Sequence, residues 1–277
     1  ASTFVVKIAT FAKPQNVSYN VIMKSKLKIL FILINCALHS NAQCNYAELN
    51  KIDKKLTSVY KRLLVSNYEV RQDSLVPYFY TQMRKYLLNP ITYRCDLDSL
   101  ASKIKIVKSN DGKVKFYGWD EFTGGSWHDL NCIGQYSDSK GKVKIKTLNE
   151  LMNNDSIGFS SSIIYSIYEV KNKDTVYYIT FAWGTHGSGN QHNVIQVFYI
   201  KNNNLVICPY CINNSPNEII EYPRVYKLNL KFDIQKKEIS FSEFKIKEIE
   251  EDKDPSLQPT DKSIIYKYLN GIFVRQQ

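Results

Sequence analysis

Two hydrophobic periods divide the chain. Leu49, Ile52, Leu56, Val59 and Leu63 recur at spacings of three and four, while Lys51, Asp53, Lys54, Lys55 and Lys61 fall on the opposite side. That stripe predicts an amphipathic helix ending at Ser66-Asn67. A second helix follows, capped at Asp73 or Ser74 with Pro77 in its first turn. Its inner face is Phe79, Met83, Tyr86 and Leu87, and Asn89-Pro90 stops it. From Lys103 the period becomes two. Ile104 and Ile106 alternate with lysines, as do Val114 and Phe116, and Ser109-Asn110-Asp111-Gly112 turns the chain between them.

Strand runs follow at 128–136, 142–147, 163–171, 175–183, 193–201, 205–208, 225–233, 238–244, 263–268 and 272–274, with tight turns at Asn172-Lys173-Asp174 and Asn202-Asn203-Asn204. Short strands joined by turns predict an α+β fold: a mostly antiparallel meander, barrel-like or stacked as a sandwich, preceded by two N-terminal helices. No repeat of blade length suggests a propeller. The predicted layout is a helical pair at 43–92 packed on an antiparallel β domain at 93–277.

The segment before these elements reads as a leader. Met23-Lys24-Ser25-Lys26-Leu27-Lys28 is a basic start, 29–38 is apolar except for Asn35, and Ser40-Asn41-Ala42 supplies small residues for cleavage. The apolar run is shorter than the roughly 20 residues that cross a bilayer. Residues 23–42 are therefore expected to be a signal peptide, 1–22 an over-extended N-terminus, and the mature chain periplasmic or secreted, with no membrane span after cleavage. Cys36 and Cys44 follow Asn35 and Gln43, so neither fits a lipidation site, which needs a small residue before the cysteine.

Charge adds little. The formal net charge is +11, but Lys7, Lys13, Lys24, Lys26 and Lys28 precede the cleavage point with no acidic residue, leaving 32 basic against 26 acidic residues beyond it, a net +6. Lysines scattered along strands read as solvated sheet faces. Nucleic-acid binding wants clustered cations among stacking aromatics, so none is expected. The acidic run Glu248 to Asp254 fits no calcium-loop spacing and reads as a surface loop.

Three segments can carry chemistry. The first holds Trp119-Asp120, Thr123-Gly124-Gly125, Trp127 and His128. Its functional reading is a binding rim at one sheet end that meets a sugar or peptide; its plain reading is a hairpin whose indoles cap the core. The second is Cys208-Pro209-Tyr210-Cys211. It is similar to the redox tetrapeptide of glutaredoxins, but Ile212-Asn213-Asn214-Ser215-Pro216 cannot start the helix that would lower the first thiol's pKa. A small disulfide pinning a loop is the expectation. Cys95 with Cys132 is a second candidate pair, leaving Cys44 free, and Cys208-x-x-Cys211 is also half a zinc site without a second half. The third is the loop Gly184 to His192, where His186 and His192 can face each other as metal ligands or as acid and base, or simply flank a solvated hairpin. It lacks the Lys and following helix of a phosphate loop, and Ser188 lacks a nucleophile elbow.

Asp111-Gly112-Lys113, Trp119-Asp120, Thr123-Gly124-Gly125 and Gln135-Tyr136, with the Ala42-Gln43 junction and the terminal Tyr266, Tyr268, Gly271 and Phe273, resemble a group of uncharacterised exported proteins of Bacteroidetes-type bacteria. The resemblance implies export and a β-rich fold, and no known activity or catalytic residue. The expectation is a binding or interaction module, for an unknown ligand or an envelope protein, with no evident catalytic site, cofactor or metal. Its contacts come from Trp119, Asp120, Gly124, Gly125, Trp127 and His128 and from His186 and His192. The rivals are a metal-dependent hydrolase built on His186, His192 and Asp120, and a thiol-disulfide oxidoreductase built on Cys208. A purely structural envelope protein has no positive feature of its own.

Overall fold

The computed structural model describes residues 44–125, 127–151, 161–185, 187, 189–247 and 256–276. The expected N-terminal extension and leader, His186, Ser188 and the acidic run 248–254 lie outside the described residues. The chain divides into two units, Ala1–Cys44 and Asn45–Gln277, and the fold below is that of the second.

Helix α1 (Tyr46–Val65) starts where the Asn45 side chain accepts the Glu48 N–H, and it buries the expected stripe together with Tyr60 and Asp53. Asn67 caps the next helical stretch, which runs as α2 (Tyr68–Val70), a π turn (Arg71–Leu75) and α3 (Val76–Leu87). The helix therefore begins before Asp73. The widened turn precedes Pro77, which has no N–H and crowds the carbonyl four residues back in a regular helix. Two short helices follow, α4 (Pro90–Arg94) and α5 (Asp98–Ala101). Asp53 does not face solvent as its stripe position predicts. Its carboxylate accepts the N–H groups of Ser99 and Leu100, both at 2.8 Å, satisfying orphan donors at the start of α5.

Among the described residues, thirteen strands pair antiparallel in three sheets, none of which closes into a barrel. The first is the meander β1 (Lys105–Lys108), β2 (Val114–Asp120), β3 (Leu130–Ser137) and β4 (Val143–Thr147), after which comes the short helix α6 (Leu148–Leu151). The second contains β5 (Ile163–Asn172), β6 (Thr175–Thr185), β7 (Asn190–Lys201), β8 (Asn204–Ile207) and β9 (Asn217–Pro223). One edge of β7 pairs with β6; the other is shared by β9 along 190–196 and β8 along 198–201. The third contains β10 (Lys231–Asp233), β11 (Glu238–Lys247), β12 (Ser256–Leu269) and β13 (Ile272–Arg275). The run expected over 225–233 shrinks to β10, and β9 was not expected.

The sheets stack. Val114, Phe116 and Tyr136 meet Tyr178, Ala182, Val194 and Phe198, forming one core between the first and second sheets. On the other face of the second sheet, Ile179, Phe181, Ile195 and Val197 meet Ile239, Phe241, Tyr266 and Phe273. A sheet covered on both faces needs apolar residues at both strand parities, which explains the near-continuous runs of β6 and β7. The helices cover the outer face of the first sheet, where Trp119 lies edge-on to Phe79 at 5.4 Å. Lys115 also points there, although its alternation predicts a solvated residue. It is buried, and its Nζ donates to the carbonyls of Thr92 (3.3 Å) and Cys95 (3.0 Å) and to Asp96 (3.0 Å).

Cys208 and Cys211 form the expected disulfide. Cys44 and Cys95 are both disulfide-bonded, and Cys132 is a buried free thiol. Cys132 cannot pair with Cys95, because it faces the second sheet while Cys95 follows α4 on the helical side of the first. Among the described residues, no helix is long and apolar enough to cross a membrane.

Candidate functional site

A groove of about 530 Å³ opens at one end of the second sheet, beside the connection from β9 to the third sheet. Register assembles it. Trp183 sits opposite Asn193, and Gln191 sits opposite Tyr222, so side chains of β6, β7 and β9 share one face. Tyr165 joins them from β5, where the pairing shifts between Ile164 and Ser166. It is the extra residue of this bulge, a device that re-aims a side chain. Tyr226 and the aliphatic Leu228 and Leu230 close the wall, with Arg224 and Lys227 along it.

The rings are held by amides. Asn193 Nδ2 donates to the Tyr165 hydroxyl and to the Ala182 carbonyl, both at 3.0 Å, and Tyr222 donates to Asn193 Oδ1 at 2.7 Å. Trp183 Nε1 donates to Gln191 Oε1 at 2.9 Å. Burial pushes the Tyr222 phenol up to about 12 and raises Tyr165 as well, so both hydroxyls remain protonated donors at neutral pH. Arg224 Nε donates to the Asn190 carbonyl at 3.1 Å and its N–H to the Gly189 carbonyl at 2.9 Å, tying the groove wall to the β6–β7 turn.

The residues singled out from the sequence divide around this groove. Trp119 is a core residue, in line with the plain reading of its hairpin. Asp120 and His128 do meet: Oδ2 lies 2.5 Å from Nδ1, while Oδ1 accepts the Phe122 N–H and the Asp120 carbonyl accepts the Tyr60 hydroxyl. The His128 N–H donates to Thr185 Oγ1 at 2.9 Å, and its ring lies 6.3 Å from that of Trp183. The turn after β2 thus docks against the end of β6, next to the groove. Gly124 is required there, since a Cβ would strike the Trp127 carbonyl, whereas one on Gly125 would meet open space. Trp127 is half exposed.

His192 points the other way from its neighbours Gln191 and Asn193. It is fully buried, with Nε2 2.8 Å from Ser162 Oγ and its ring against Gly184. His192 therefore faces away from the groove, and its expected partner His186 lies outside the described residues. Beside the docked turn, Glu121 is pushed up to about 7 by burial first, then by the neighbouring Asp129 and Asp120 carboxylates. It accepts a hydrogen bond from Asn131. Among the described residues, no three His, Cys, Asp or Glu side chains converge as metal ligands. The Cys208–Cys211 disulfide is followed by a turn, with Ile212 and Ser215 bridged, rather than by a helix.

Sequence reasoning missed Tyr165, Trp183, Gln191, Asn193, Tyr222 and Tyr226. One signal was present: Gln191 and Asn193 put two amides on one parity of β7, just ahead of its apolar residues Val194 and Ile195. A comparison with known protein families, curated proteins and solved structures finds no match for the chain.

Proposed function

We propose that this protein is a secreted or periplasmic binding protein that holds its ligand in the groove of Tyr165, Trp183, Tyr222 and Tyr226. The observation that carries the reading is the hydrogen-bonded frame behind the rings. Asn193 and Gln191 spend their polar atoms fixing Tyr165, Tyr222 and Trp183, which leaves an aromatic surface ordered before any ligand arrives. Preorganisation of this kind reduces the side-chain entropy lost on binding, and concave aromatic surfaces with a few fixed polar groups are the usual form of ligand sites. Export is supported by the leader-like segment and by disulfides, which persist in oxidising compartments.

The test is a thermal-shift screen of short oligosaccharides and peptides on the wild type and on a Trp183→Ala, Tyr226→Ala double variant. Compounds that stabilise the wild type alone are expected. A screen that shifts both proteins alike, or neither, refutes the reading.

A further inference from the structure

We propose that Asp120 and His128 form a general-base pair at the edge of the groove, and that the protein hydrolyses carboxylic esters whose aromatic part lies on its rings. The inference rests on the binding reading above for where the substrate sits, and adds a reaction to it.

The geometry of the pair sets its chemistry. Oδ2 of Asp120 lies 2.5 Å from His128 Nδ1. A carboxylate only accepts, so Nδ1 carries the ring proton and Nε2, on the far side of the ring, presents a lone pair. Nε2 makes no hydrogen bond among the described residues, and the side chain is 34% exposed, open to water. The carboxylate is held in its turn. Its Oδ1 accepts the Phe122 N–H at 2.7 Å, and the Tyr60 hydroxyl donates to the Asp120 carbonyl at 3.1 Å. Phe122 gives that N–H from a left-handed backbone, φ +56°, which bulky residues rarely adopt, and Arg71 clamps its carbonyl. Strain of this kind gathers where a functional group must be aimed. An imidazole held by an orienting carboxylate, with its second nitrogen open, is what general-base catalysis requires.

What the base acts on follows from its surroundings. The nearest hydroxyls serve its backbone: Thr185 accepts the His128 N–H and Ser161 donates to its carbonyl. The proton that Nε2 takes is therefore that of a water. The water oxygen adds to the ester carbonyl carbon as its proton passes to Nε2. The C–O bond to the alcohol then breaks, and the departing alkoxide takes that proton back, leaving acid, alcohol and neutral imidazole. An ester suits a base acting alone better than an amide, whose nitrogen must be protonated before it leaves. A carboxylate–imidazole pair also orients metal ligands, but among the described residues no three such side chains converge. The His128 ring lies 6.3 Å from that of Trp183, so a group stacked on the indole can reach the imidazole. The polar edges of Tyr165, Tyr222 and Trp183 are engaged by Asn193 and Gln191, so the groove offers ring faces. Ring faces select an aromatic partner.

The test follows hydrolysis of methyl cinnamate and of aliphatic methyl hexanoate by the full chain, with and without EDTA. The cinnamate ester should turn over faster. His128→Ala should lower kcat about 10²–10⁴-fold, and added imidazole should restore part of it, which a merely structural loss would not allow. Asp120→Asn, which removes the acceptor that fixes the tautomer, should lower kcat with KM unchanged. Trp183→Ala should raise KM about tenfold, the scale of a lost aromatic contact. Turnover that survives His128→Ala, or that EDTA abolishes, overturns the base. A loss in His128→Ala that imidazole does not repair makes the residue structural and overturns it too. Equal turnover of the two esters overturns the aromatic assignment. Cinnamate that raises the Tm of the wild type without being hydrolysed overturns the reaction and leaves the groove standing. Turnover whose KM ignores Trp183→Ala overturns the groove as the place where the substrate sits. Neither binding nor turnover of either ester overturns the whole inference, while the wider thermal-shift screen still judges the groove.

Discussion

Replacing Gly184 by alanine tests how the strand beside the groove is packed. A methyl there would overlap Cε1 and Nε2 of His192 and lie 2.6 Å from the Ser161 carbonyl oxygen. Non-bonded carbons rest about 3.5–4.0 Å from their neighbours, so the intrusion is roughly 1 Å. Neither obstacle can swing into solvent: the imidazole is fully buried and bonded to Ser162, and the carbonyl is backbone. Overpacking costs about 1–3 kcal/mol, and displacing His192 from Ser162 adds about 1–3 kcal/mol for a buried polar group left unmatched. The expected loss is about 4 kcal/mol, or about 8–16 °C in Tm for a chain of this size. Urea unfolding followed by far-ultraviolet circular dichroism, with disulfides intact, measures it. Gly187→Ala, where a methyl meets nothing within 4 Å, is the control and should fall within about 0.5 kcal/mol of wild type. In a His192→Ala background the Gly184→Ala cost should fall by about 1–2 kcal/mol, because the clash is shared by two contacting residues. A Gly184→Ala protein as stable as the Gly187→Ala control would refute the packing argument.

Two further outcomes are expected. Glu121, held near 7 against about 4.3 in an unfolded chain, binds more protons folded than unfolded between those values. Its burial penalty is therefore absent below about pH 4 and complete above about pH 7. Glu121→Gln should gain stability relative to wild type as pH rises through that window; parallel thermal melts at about pH 4 and about pH 8 that show no change in the difference would contradict this. Replacing Cys208 and Cys211 together by serine should cost about 2 kcal/mol, the loop-closure value for a four-residue loop. It should also speed hydrogen exchange at the Phe273 amide, which donates to the Cys211 carbonyl at 2.7 Å. Unchanged exchange would mean that the bridge does not hold the C-terminal hairpin.

Local chemistry was readable where its partners are near in sequence. The α1 stripe, the Gly112 turn and the tight turn at Asn202-Asn203, whose turn residues adopt positive φ, follow from period and turn residues. The disulfide of Cys208 and Cys211 follows from spacing and context. What failed depended on a distant partner. Lys115 looks solvated by alternation, and only the helices covering the outer face of the first sheet supply the carbonyls that bury it. Asp53 looks exposed by stripe, and only α5, 46 residues later, gives it donors. The groove gathers residues from four strands and one bulge, so its composition could not be seen in any window. The pairing of β9 with β7 decides that Tyr222 meets Asn193, and register across a long connection leaves no local trace.

An odd thiol beside two disulfides invites scrambling, since any thiolate can attack a bridge and pass the bond along the chain. Cys132 escapes that fate through its place between the first two sheets. Burial among apolar neighbours raises its pKa to about 12, so at neutral pH the attacking anion is all but absent. Folding thus renders one sulfur inert and leaves the native connectivity to the other four described cysteines, and a variant that loosens the seam between these sheets should shuffle its bridges before it unfolds.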